Sequence, residues 1–124
     1  MPSPENPTYA VHNITRGTTV ATRVVIAGTS AERRRGLLNT KSMQPGGGLW
    51  IAPCEAIHTV GMPWPIDVVF LDRNRRVLKI VTELLPWRIA VCLRSFSVLE
   101  LPAGVLLPTR TEIDDILAFP LSAN

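Results

Sequence analysis

The sequence predicts a mainly β fold, a small antiparallel sandwich or barrel of about seven short strands with one short helix. Three observations carry that prediction. Apolar and β-branched residues come in short runs, several of which alternate with polar residues at the two-residue period of a strand. Eleven prolines are spread along the chain and punctuate those runs instead of gathering into a linker. Parallel βαβ winding would need helices that the pattern does not supply.

The length of 124 residues suits one domain, and a balance of 46% hydrophobic to 19% charged residues favours a packed core. Residues 1–8 are polar and hold three prolines, so they are expected to be a disordered tail ahead of a single domain over 9–124. Segments 9–15 and 18–27 are rich in β-branched residues, and Arg16-Gly17 between them makes a hairpin turn. Val20, Val24 and Ile26 would share one face. Thr29-Ser30-Ala31-Glu32 matches a capping box, in which hydroxyl and carboxylate satisfy orphan amides, and a helix to about Leu38 follows.

Pro45-Gly46-Gly47-Gly48 breaks regular structure before a strand over 48–52. Segment 66–71 is apolar on both faces except at Asp67, as in an interior strand covered on both sides. A turn at 72–75 leads into segment 76–84, which pairs antiparallel with it. In that strand Leu78, Ile80 and Leu84 would point one way, and Val77, Lys79, Val81 and Glu83 the other. Strands over 97–101 and 115–119 complete the set.

The net charge is +3 and the pI near 9.4, but the basic residues are dispersed as Arg33-Arg34-Arg35, Arg73, Arg75, Arg76 and singles, without interleaved aromatics. They read as solvated surface, and no nucleic-acid partner is expected. No apolar run approaches the length of a membrane span. The first residues lack the basic and apolar stretches of a secretory signal, so a cytoplasmic location is expected, with Cys54 and Cys92 as free thiols.

The landmarks Arg35-Gly36-Leu37, Gly48-Leu49-Trp50, Ile57-His58-Thr59, Gly61-Met62, the run from Pro65 to Asp72, Pro86-Trp87-Arg88 and the run from Val98 to Gly104 follow one another in a specific order. In that order the chain resembles an uncharacterised family, Domain of Unknown Function 192, in a His-containing variant. The resemblance covers about Thr29 to Leu117 and implies a compact, mainly β domain with no established activity. It implies structural parts for Arg35, Gly36, Gly61, Met62, Glu100 and Gly104. Many relatives have Gly-Asp where this chain has Asp114-Asp115, and a hairpin glycine is usual where it has Arg75.

Cys54 and His58 stand four positions apart, near enough in a loop to share an ion or a proton. As a zinc site they are incomplete, and only Asp67 or Cys92 would add ligands, so no metal or cofactor is assigned. Asp67 lies among apolar neighbours, and a buried carboxylate needs a partner; His58, Arg35 and Arg88 are the candidates. Trp50, Trp64 and Trp87 flank the same loops and would wall a pocket, with Trp64 held between two prolines and partly exposed. Glu100 reads as solvent-facing or paired to a base.

These residues define the expected function: a non-enzymatic module whose loops 53–65 and 86–94 close over a small polar or anionic ligand. His58, Asp67, Arg88, Trp64, Trp87 and Cys54 would contact it. The alternatives are a small metal- or thiol-dependent hydrolase-like enzyme using Cys54 and His58, and a structural or protein-interaction domain without a pocket.

Overall fold

The computed structural model describes residues 7–27 and 44–122. The helix expected from Thr29, together with Arg35, Gly36 and most of the expected N-terminal tail, lies outside the described residues.

The strands are β1 (Thr8–Asn13), β2 (Thr18–Ala27), β3 (Gly47–Ile51), β4 (Ala56–His58), β5 (Ile66–Leu71), β6 (Val77–Leu84), β7 (Ile89–Val91), β8 (Ser97–Pro102) and β9 (Leu117–Ala118). A single turn of helix, α1 (Leu106–Thr109), stands between β8 and β9. One sheet has the order β6-β5-β8-β3-β2-β1-β9, and β4 and β7 form a second, two-stranded sheet. The seven strands of the larger sheet are the seven the sequence pattern marks. The small sheet is additional, made of two three-residue strands in segments that read as loops.

Expectation and structure differ in pairing at one point. Every named pair is antiparallel except β2 with β3, which run parallel. A parallel neighbour needs a crossover of a dozen residues or more, and residues 28–46 supply that length. Gly48 is required where β3 is squeezed between its neighbours: a Cβ there would stand 2.9 Å from Leu101 Cδ2 and 3.0 Å from the Glu100 carbonyl oxygen.

The large sheet curls into a half-barrel. Its inner face encloses one apolar cluster that includes Val11, Val24, Trp50, Val69, Leu71, Leu99, Leu101 and Leu117. Leu49, Ile51, Ile66, Val68, Phe70 and Val98 face the other way, where Ile57 of β4 and Ala90 of β7 pack on them. The ends of the sheet meet at a bridge between Arg76 and Ile116, reinforced by amides of Asp114 and Val77 donating to Val77 and Asp115 carbonyls, both at 2.8 Å. Curling until edges touch protects strand edges that would otherwise template aggregation.

The burial pattern corrects three expectations. Glu100 is fully buried instead of solvent-facing, because β8 lies between β5 and β3 and both faces of the sheet are covered there. Ile26 is 45% exposed although Val20 and Val24 are buried, because it lies one residue beyond Val25, the last β2 residue paired with β1. In β6, Val77 joins Ile80 against the inner cluster, while Val81 and Leu84 pack on the outer one. Register shifts in the β5–β6 ladder between Ile66 and Val68 and between Phe70 and Leu71 explain this, since each extra residue exchanges the two faces.

The two positions where the family resemblance leads one to expect glycine have a glycine-like backbone. Arg75 has φ 62° and Asp114 has φ 78°, both left-handed and unfavourable for a residue with a Cβ.

Candidate functional site

Asp67 has no solvent exposure, as its apolar setting predicts. Its partners differ from those expected. The Glu83 amide donates to Oδ1 at 2.9 Å, and the Gly104 and Leu106 amides donate to Oδ2 at 3.1 Å each. Glu83 sits at an irregular point of β6 with φ 53°, and Gly104 and Leu106 lie in the turn into α1. The carboxylate therefore ties β6 and the 104–106 turn to β5 through three amides that donate to a charged acceptor. Among the described residues no arginine or histidine is ion-paired to it.

His58 and Arg88 lie elsewhere. Asp67 points to the inner face of the curled sheet, beside Leu106, whereas β4 and β7 cover the outer face. Two layers of backbone geometry thus separate the imidazole from the carboxylate. In β4, Ile57 faces inward, so the alternation of the strand turns Ala56 and His58 outward. The Val60 amide donates to His58 Nδ1 at 3.3 Å. Arg88 is exposed, its Nη1 donates to the Trp87 carbonyl at 3.4 Å, and its amide donates to Thr59 Oγ1 at 2.8 Å.

The three tryptophans part company as well. Trp50 belongs to the inner cluster and stacks on Phe119 with centroids 3.9 Å apart, Trp64 packs against the outer cluster, and Trp87 is 66% exposed. They do not wall one pocket. Adjacent positions on a strand face opposite ways, so Trp50 is fixed on the side away from Leu49 and Ile51.

Of the expected set, Cys54 lines a cleft at the end of the large sheet. It shares an opening of about 420 Å³ with Pro53, Glu55, Asp72, Arg73, Asn74, Arg94, Ser95 and Phe96. Three loops build it: the loop after β3, the β5–β6 turn and the loop before β8. They meet because β5 and β8 are neighbours, with Leu71 opposite Ser97, and because the Cys54 amide donates to the Phe96 carbonyl at 2.8 Å. Ser95 Oγ donates to the Cys54 carbonyl at 2.9 Å and fixes the same junction. The Arg73 guanidinium lies 4.2 Å from the centre of the Phe96 ring, which orients it over the cleft. Asp72 Oδ1 is already engaged, accepting the amides of Asn74 at 2.8 Å and Arg76 at 3.0 Å.

Cys54 and Cys92 are not joined in a disulfide, and Cys54 Sγ donates to the Ala56 carbonyl at 3.2 Å. Among the described residues no group of three or more His, Cys, Asp or Glu side chains is arranged to hold a metal ion. No described helix is long and apolar enough to cross a membrane.

Besides Asp67 and Glu100, one more described carboxylate is buried, and it escaped the sequence reading. Asp115 Oδ2 accepts Asn13 Nδ2 at 3.0 Å, Arg16 Nε at 3.0 Å and the Glu112 amide at 2.9 Å. Burial pushes its carboxyl up, but the hydrogen bonds from Arg16, Asn13 and the Glu112 amide and the charge of Arg16 outweigh burial and hold it below the usual carboxylate range. Arg16 and Asn13 are about a hundred residues from Glu112 and Asp115, so no spacing signals the cluster. Arg73 and Arg94 escaped in the same way: dispersed in sequence, they read as ordinary surface charge.

Comparison with known proteins agrees with this architecture. The sequence profile of Domain of Unknown Function 192, described as uncharacterised, matches residues 11–119, and the chain belongs to that family. A UPF0127 protein of Thermococcus sibiricus is 35% identical over 109 residues, covering 83% of this chain and 70% of the relative. A UPF0127 protein of Pyrococcus furiosus is 30% identical over 111 residues, covering 85% and 93%. Two solved structures share the fold. One, of unknown function from Novosphingobium aromaticivorans, has a TM-score of 0.74 at 20% identity and covers 91% of this chain and 84% of its own. The other, from Sinorhizobium meliloti and named for a suggested role in transcription regulation, has a TM-score of 0.76 at 21% identity and covers 92% and 93%.

Proposed function

We propose that this chain is a non-enzymatic module that binds a small polar anion, one bearing a phosphate, sulfate or carboxylate group, in the cleft beside Cys54. The supporting observation is the pair of guanidinium groups, Arg73 and Arg94, that two separate loops bring to one opening, the first oriented by stacking on Phe96. Guanidinium forks match the planar geometry of such anions, and a partly enclosed site weakens the competition from water. Glu55 at the rim and the engaged Asp72 favour a ligand that also carries a hydrogen-bond donor over a bare anion.

A thermal-shift series with phosphate, sulfate and small carboxylates at constant ionic strength tests the reading. A ligand at about a hundred times its Kd stabilises by roughly 2.7 kcal/mol, and Arg94→Ala abolishes the shift while leaving the unliganded protein folded. Absence of any shift, or a shift equal in wild type and Arg94→Ala, contradicts it.

A further inference from the structure

We infer that the cleft beside Cys54 takes a small zwitterion, a carboxylate or phosphate carried a few bonds from an ammonium group, as in free amino acids and aminoalkyl phosphates. This rests on the reading of the cleft as an anion site and adds the group that accompanies the anion. Four charged side chains line the opening and their signs balance, Arg73 and Arg94 against Glu55 and Asp72. An anion alone is drawn to two of them and repelled by the other two, whereas a molecule bearing both signs gains at each end.

The four do not neutralise one another. Elsewhere the fold pairs its charges, as Arg16 does with Glu112 and Asp115, yet among the described residues no ion pair joins either arginine of the cleft to either carboxylate. Arg73 is drawn instead over the Phe96 ring. The Asn74 and Arg76 amides hold Asp72 by Oδ1, which fixes the carboxylate in place while Oδ2 accepts no hydrogen bond from a described residue. The Glu55 backbone is pinned as well, its carbonyl accepting the Cys92 amide at 2.8 Å. Cationic and anionic groups thus stand apart around one space of about 420 Å³, within the range of small-molecule sites. A ligand whose own charges are separated meets both sets at once.

Dissociation constants for matched pairs test it, each zwitterion against the acid that lacks the amine: glycine against acetate, β-alanine against propionate, and aminoethyl phosphate against ethyl phosphate, at neutral pH and constant ionic strength. In at least one pair the zwitterion should bind about fivefold tighter or more, and the pair that shows it tells carboxylate from phosphate. Glu55→Gln should erase most of the preference and bind the plain acid slightly tighter, since a like charge is gone. Arg94→Ala should weaken both members of that pair. Glu55 is exposed, so circular dichroism should show an unchanged fold; if the variant unfolds, the wild-type ratios decide. Equal affinity within every pair, or tighter binding of the plain acids, overturns the inference and leaves the anion site standing. So does a preference that Glu55→Gln leaves untouched. Binding of no member of any pair overturns both.

Discussion

The seven-stranded sheet and the two-stranded sheet make opposite use of the same alternation. In β5 every residue is buried, and even the charged Asp67 is held inside by three amides. In β7 only Ala90 is buried, and Ile89 and Val91 are left outside. Burial in the first region creates obligations that only specific partners meet. Exposure in the second leaves side chains that the fold does not need. Polar groups buried in the large sheet should therefore govern stability, and large side chains on the small one should contribute little to it.

The sharpest way to break this contrast is Asp67→Ala, which removes the acceptor of the Glu83, Gly104 and Leu106 amides together. Leaving those donors unsatisfied should cost about 3–5 kcal/mol, read from urea denaturation, with Asp67→Asn costing less because it keeps one oxygen. A wild-type midpoint for Asp67→Ala would show that the carboxylate is not the clasp described above.

Next in size is Asp115→Asn, expected to cost about 1–2 kcal/mol near neutral pH. Its sign with pH is fixed. The folded carboxyl titrates below the 3.8 of the free group, so its contribution is complete above that pH and is lost as pH falls through the lower, folded value. The gap in melting temperature between wild type and Asp115→Asn should be constant at neutral pH and close in acid. A gap that grows on acidification would contradict the pairing with Arg16.

Asp114→Gly should act in the other direction, stabilising by about 0.5–1 kcal/mol as the left-handed strain at φ 78° is relieved. Arg75→Gly should gain less, since the Arg75 guanidinium also lies 5.1 Å from the Trp50 ring and 5.7 Å from the Phe119 ring. Equal gains at both positions would mean that those ring contacts contribute nothing. Smallest of all, Ile89→Ser should leave stability within about 0.5 kcal/mol, and a larger loss would place that side chain in the core after all.

What the sequence reveals follows the same division. The seven strands of the large sheet are legible because each has to alternate or stay apolar to be buried, and Asp67 stands out as an interruption of that pattern. Its partners are illegible because they are backbone amides, which every residue but proline carries. β4 and β7 escape because three-residue strands with a single inward residue, Ile57 or Ala90, present no period. The expected His58, Asp67 and Arg88 site places together residues that the sheet holds apart, since sequence order does not tell which face of a bulged, curled sheet a loop covers. The cleft is hidden for a related reason: Arg73 and Arg94 meet only through the pairing of β5 with β8.

The account rests on ligand binding in that cleft, away from Asp67. Following amide resonances by nuclear magnetic resonance during titration with phosphate or a small carboxylate tests this most directly. The account predicts shifts concentrated at residues 53–55, 72–74 and 94–96. Shifts centred instead on Glu83, Gly104 and Leu106, or no saturable shifts anywhere, would contradict it.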